Sequence, residues 1–148
     1  MKTIRFVILV LLAVVCVASQ TRSDRERFIG AWRLVSIVGP DGRPATTGVP
    51  IGMLIYTGDG HVSVQLMYPS SSKALSNEYV ENGYEASFGS YEINAAAHTV
   101  THHVQGANTR DRLVGKDLPR VYEFNANGRL ILKPAGAGEH WSVTWEHY

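Results

Sequence analysis

Cysteine is almost missing from this chain: Cys16 is the only one in 148 residues, and it sits in an apolar run near the start. A domain without thiols has no disulfides, no metal site built on sulfur and no cysteine nucleophile. Charge is sparse too, at 18% of residues, and the two signs nearly cancel to a formal +1. Such a balance leaves no basic footprint for nucleic acid or an anionic membrane surface. No Asn-x-Ser/Thr acceptor occurs, so N-glycosylation is not expected. Long hydrophobic runs are limited to Phe6–Val17, whose 12 residues fall short of the ~20 needed to span a membrane.

That run follows Met1, Lys2 and Arg5 and is succeeded by the small residues Ala18 and Ser19. The pattern is that of a secretory signal, with residues 1–19 removed, a secreted or periplasmic destination and no stable membrane insertion after cleavage. The remaining 129 residues lose Lys2 and Arg5 but no acid, leaving 12 basic residues against 13 acidic. One domain is expected, large enough to close its own core. Residues 20–27 (QTRSDRER) read as a polar N-terminal arm, and the domain proper as residues 28–148.

What the domain has is strand-forming sequence, rich in Val, Ile, Tyr and Trp and punctuated by Gly, Pro and Asn-Gly. Eight strands are expected: Trp32–Val38, Gly52–Thr57, His61–Met67, Phe88–Ile93, His98–Val104, Arg120–Asn125, Arg129–Lys133 and His140–His147. Thr57-Gly-Asp-Gly60 and Asn125-Ala-Asn-Gly128 supply residues that tolerate positive φ in tight hairpins. Short sequential hairpins make an antiparallel meander, and a barrel is favoured over a two-sheet sandwich because it removes exposed edges. The 20 residues from Tyr68 to Ser87 break the pattern. Leu75 and Tyr79 one helical turn apart, with Glu78, Glu81 and Glu85 on a common side, predict a short helix between strands three and four with a solvated acidic face. Such a helix either plugs the barrel end or covers a pocket.

Period-two alternation then selects an inward face. Val100, His102 and Val104 go in together and leave His103 outside; Arg120, Tyr122 and Phe124 form a second set, and Trp141, Val143 and Trp145 a third. Tyr91 and Ile93 are the better inward pair of the fourth strand, and Tyr56 fits either face. Apolar walls with a few polar groups are the make-up of a small-molecule pocket. The ligand-binding candidates are Tyr56, Tyr91, His102, Arg120, Tyr122 and Trp141. The same residues also suit a filled core, and Arg120 a salt bridge at the rim. His102 is the candidate acid–base residue should the cavity do chemistry.

Six histidines raise the question of metal. His102 and His103 point to opposite faces of a strand, and His98 lies roughly 13 Å from His102 along an extended chain. No metal or other cofactor is expected. No Gly-x-Ser-x-Gly elbow or phosphate-binding glycine loop is present, and Ser87-Phe-Gly-Ser90 lacks the strand–turn–helix context.

Several stretches carry a resemblance: Phe28-Ile-Gly-Ala-Trp-Arg-Leu-Val-Ser36, Gly52-Met-Leu-Ile-Tyr-Thr-Gly-Asp-Gly60, Val62-Ser-Val-Gln-Leu-Met67, Phe88-Gly-Ser-Tyr-Glu-Ile93, Thr99-Val-Thr-His-His-Val104 and Trp145-Glu146. In order and spacing they resemble the lipocalin-like domain family, small calycin-type β-barrels of bacteria and fungi. Gly30-x-Trp32 resembles the signature in which the Trp closes one barrel end under a cationic side chain of the last strand. His147 stands here where such domains often place Arg, and Trp32 and Trp145 are expected to close that end together. The resemblance implies an all-β, eight-stranded up-and-down barrel holding a small hydrophobic ligand. It brings no catalytic residue, although some relatives resemble isomerases or cyclases of secondary metabolism. A binding protein, a small isomerase or cyclase using His102, and a structural or interaction domain with a filled core are the three functions to separate.

Overall fold

The computed structural model of the chain describes residues 22–45, 48–69 and 77–148. The expected signal segment 1–19 and the first part of the expected arm lie outside the described residues. Eight strands follow in order: β1 (Gly30–Val38), β2 (Ile51–Tyr56), β3 (His61–Met67), β4 (Tyr84–Asn94), β5 (Thr99–Ala107), β6 (Asp117–Phe124), β7 (Leu130–Pro134) and β8 (Ser142–His147). Each pairs antiparallel with the next, and β8 returns to pair with β1, closing an up-and-down barrel. The hairpin signals do what their chemistry requires. Gly60 (φ 96°) and Gly128 (φ 75°) take the left-handed positions, and the Asn125 side chain accepts from the backbone N–H of Asn127 and Arg129.

Between β4 and β5 the ladder shifts register at Phe88/Gly89. A Cβ on Gly89 would sit 1.9 Å from the His103 carbonyl oxygen, so the two backbones approach there as only glycine permits.

Two short helices flank the strands, α1 (Asp24–Phe28) and α2 (Arg110–Leu113). The first replaces the loose arm expected over residues 20–27. Ser23 accepts from the Glu26 N–H and the Glu26 carboxylate accepts from the Ser23 N–H, a capping box that satisfies two otherwise orphaned donors. Among the described residues no helix lies between β3 and β4. Of the expected helix, residues 73–76 lie outside the described residues, and Asn77–Gly83 is a series of bends and turns. The Asn77 side chain accepts from the Tyr79 and Val80 N–H groups, Asn82 and Gly83 adopt positive φ, and the chain enters β4 at Tyr84. Side-chain capture of backbone donors competes with helix here and prevails.

The end of the barrel that receives α1 is packed with aromatic rings. Phe28, fully buried, meets Tyr56, Tyr122 and Phe124 edge-on, with centroids 5.0, 4.9 and 5.2 Å away. Trp32 donates its indole N–H to the Phe28 carbonyl at 2.8 Å. The His147 ring stacks on Trp32 at 3.5 Å, and Arg27 covers Phe124 at 3.9 Å. Trp145 does not join Trp32 at this end. It pairs with Leu34 and Leu130 further along the barrel and faces the interior.

Truncating the plug should be costly. Phe28→Ala is expected to lower the unfolding free energy by about 3–5 kcal/mol, the range for deleting a buried phenyl ring, as read by urea denaturation.

Candidate functional site

The half of the barrel away from α1 is not filled. A cavity of about 220 Å³ opens between the ends of β1, β3, β4, β6 and β8, larger than the ~150 Å³ cavity that admits benzene. Its apolar walls are Ile37, Val64, Leu66, Leu118, Leu132 and Val143. Polar groups enter from four directions: Glu85 and Ser87 on β4, His102 on β5, Arg120 on β6, and Tyr79 with Trp141 from the connecting segments.

The inward faces follow the alternation. On β5, Val100, His102 and Val104 are buried, while His103 points outward and pairs with Asp117 at 2.6 Å. On β6, Arg120 and Tyr122 are buried on the same face. His102, Arg120 and Trp141 thus meet at one cavity. Tyr56 lies directly beneath, with its hydroxyl 2.7 Å from His102 Nε2. Tyr91 and Tyr122 face inward but belong to the closed end. The Tyr91 hydroxyl donates to the Thr57 carbonyl at 2.9 Å and the Tyr122 hydroxyl to Asp24 at 2.6 Å, so neither reaches the cavity.

Burial sets the charge states. It pushes the His102 imidazole down to about 3, helped by the neighbouring Arg120 charge, so the ring is neutral. Burial likewise raises the Tyr56 phenol well above its ordinary value. Two neutral partners bond best with the phenol donating to Nε2, which leaves the imidazole proton on Nδ1. His102 is therefore a poor base at neutral pH. The better titrating group is Glu85, which the acidic spacing of residues 78, 81 and 85 predicts on a solvated helix face. It stands on the inner face of β4, where burial raises its carboxyl to about 7 against the opposing pull of Arg120.

Arg120 is not at a rim salt bridge. It is buried, with its guanidinium over the rings of Trp141 at 4.8 Å and Tyr79 at 5.3 Å. Glu139 sets both rings: its carboxylate accepts from the Tyr79 hydroxyl at 2.9 and 3.0 Å and from Trp141 Nε1 at 2.8 Å. Trp145 also lines the cavity, and its indole N–H is buried without an acceptor in the protein. Counting back in twos from Tyr91 through Gly89 and Ser87 reaches Glu85, so its signal was present. Tyr79 and Glu139 lie outside the strands, where no period points to them.

The model of the lipocalin-like domain family matches residues 29–147, and the chain belongs to that family. Among solved structures it is similar to an uncharacterized protein from Bacteroides eggerthii DSM 20697, at 13% identity and a TM-score of 0.50, over 82% of this chain and 99% of that one. That likeness concerns the fold alone. No curated protein matches the chain significantly.

Buried His102 and half-buried Glu85 pull stability in opposite directions. Between pH 4.5 and about 7 folded Glu85 keeps a proton that the unfolded chain has lost, so its contribution falls as pH rises through that window. Between about 3 and 6.5 the unfolded chain protonates a histidine that stays neutral when folded, so the His102 contribution is lost as pH falls. In Glu85→Gln the first slope disappears. Relative to the parent chain, the variant should gain about 1.4 kcal/mol of stability per pH unit across the Glu85 window and nothing further above it. Urea denaturation at intervals across that range checks this; a constant offset between the two proteins would mean that Glu85 is already ionised in the folded state.

Proposed function

We propose that this chain is an exported barrel protein that binds a small hydrophobic molecule in the open half of its interior. The observation that carries the reading is a cavity with apolar walls into which a few polar groups project, the composition of small-molecule sites generally. The unpartnered indole N–H of Trp145 supports it, because a filled core leaves few buried donors unsatisfied. Export rests on the basic start, apolar run and small-residue exit of residues 1–19. Among the described residues no helix is long and apolar enough to cross a membrane.

A second reading, an isomerase or cyclase, is favoured by one observation. Glu85 has a carboxyl poised near 7 inside an apolar cavity, where a general acid–base group works best. On this reading Glu85, and not His102, moves the proton, and Glu85→Gln abolishes turnover while leaving ligand bound.

Ser87 is small and lines the cavity, so Ser87→Leu should fill it. The neutral two-ring fluorophore 2-naphthol is expected to bind the parent chain and to lose at least about tenfold in affinity for the variant, roughly 1.4 kcal/mol, with thermal stability kept. Equal binding by both proteins would place the ligand elsewhere. For export, N-terminal sequencing of protein recovered outside the cytoplasm should begin near Ser19 or Gln20; an intact Met1 form there would refute cleavage.

A further inference from the structure

The cavity holds one full positive charge without a fixed counter-ion. Arg120 is only 6% exposed, and a guanidinium has five N–H donors to satisfy. Among the described residues they meet one acceptor, the Pro119 carbonyl oxygen at 3.4 Å. Among the described residues no carboxylate oxygen lies within 4.0 Å of it. Aromatic faces offset part of the cost of burying a cation, but an anion with two oxygens offsets far more.

The groups facing Arg120 are each unable to be that anion. Glu139 stands behind the two rings, with its carboxylate occupied by Tyr79 and Trp141. His102, from β5, is neutral and bonded to Tyr56. Glu85, from β4, approaches closely enough for the two charges to influence each other but makes no ion pair. In its protonated form Glu85 is a donor, and it adds to a site for an incoming anion instead of competing with one. Above about 7 it becomes a rival negative charge.

We propose that the ligand of this cavity is an apolar monocarboxylate, seated with its carboxylate on the Arg120 guanidinium and its body against the walls formed by Val64, Leu118 and Leu132. The assignment rests on the reading of the cavity as a binding site and adds the chemical class of what it binds. A single negative charge matches the single buried cation. A phosphate dianion would leave a second charge uncompensated among apolar walls. The planar fork of the guanidinium, held over Trp141 and Tyr79, suits two-point contact with a carboxylate. The volume of about 220 Å³ confines the body to one or two rings or a short chain.

The test compares two ligands of one shape, naphthoate and neutral naphthamide, by titration calorimetry on the full chain. Just below neutrality, naphthoate should bind the parent chain at least about tenfold more tightly than naphthamide. Arg120→Met should remove that preference while naphthamide affinity stays within about threefold. Glu85→Gln should tighten naphthoate severalfold at about pH 8, where the parent carboxylate repels it, and leave naphthamide unchanged. If Arg120→Met does not fold, the Glu85→Gln comparison decides, and an unchanged naphthoate affinity overturns the assignment. Equal affinities for the two ligands in the parent chain, or binding of 2-naphthol with neither of them, also overturn it and leave the carrier reading standing. Failure of all three probes to bind removes both.

Discussion

Closing β1 onto β8 sends every second residue of eight strands into one enclosed volume, and nearly everything else in the molecule is a consequence of how that volume is divided. Near α1 it is filled by rings meeting edge to face, with each polar tip tied to the backbone, to Asp24 or to His102. Beyond the Tyr56–His102 pair the packing stops and the cavity begins. The pair serves both halves: its ring faces complete the aromatic layer, and its hydrogen bond lets a polar histidine form part of a floor without carrying charge.

The open half shows why buried polar groups need support from outside the strands. Arg120 is delivered by β6, but its surroundings are built by Tyr79 and Trp141 from two connecting segments, with Glu139 bracing both. A carboxylate that binds two ring systems limits their rotation, so the guanidinium sits over surfaces that are already oriented. That is preorganisation in the ordinary sense, with the ordering cost met on folding and not on binding.

Much of this was legible in the residues. Strand positions and the inward sets of β5, β6 and β8 follow from period-two alternation, because a closed antiparallel sheet leaves each side chain only two choices. Three features escaped for physical reasons. Phe88 is exposed on the outer face, and starting β4 at that apolar residue concealed Tyr84–Ser87, and with them Glu85. Glu78 and Glu81 of the preceding connection, with Glu85 at the start of β4, mimic a helix face, while Asn77 and the Asn82-Gly83 turn, which decide the matter, act through hydrogen bonds to the backbone that no hydropathy pattern displays. The capping box of Ser23 and Glu26 was written in the chain, but its value depends on Phe28 finding a hole among three rings, a tertiary fact.

The described chain begins and ends on the same side. Residue 22 leads into α1, which is fastened by Arg25 to the Gly58 carbonyl. At the other terminus His147 lies on Trp32, and the Tyr148 N–H reaches the Ala31 carbonyl. Both attachment points are therefore remote from the cavity mouth. A reporter group or resin linker attached through Arg22 or Tyr148 would leave the cavity clear, whichever of the two residues is used.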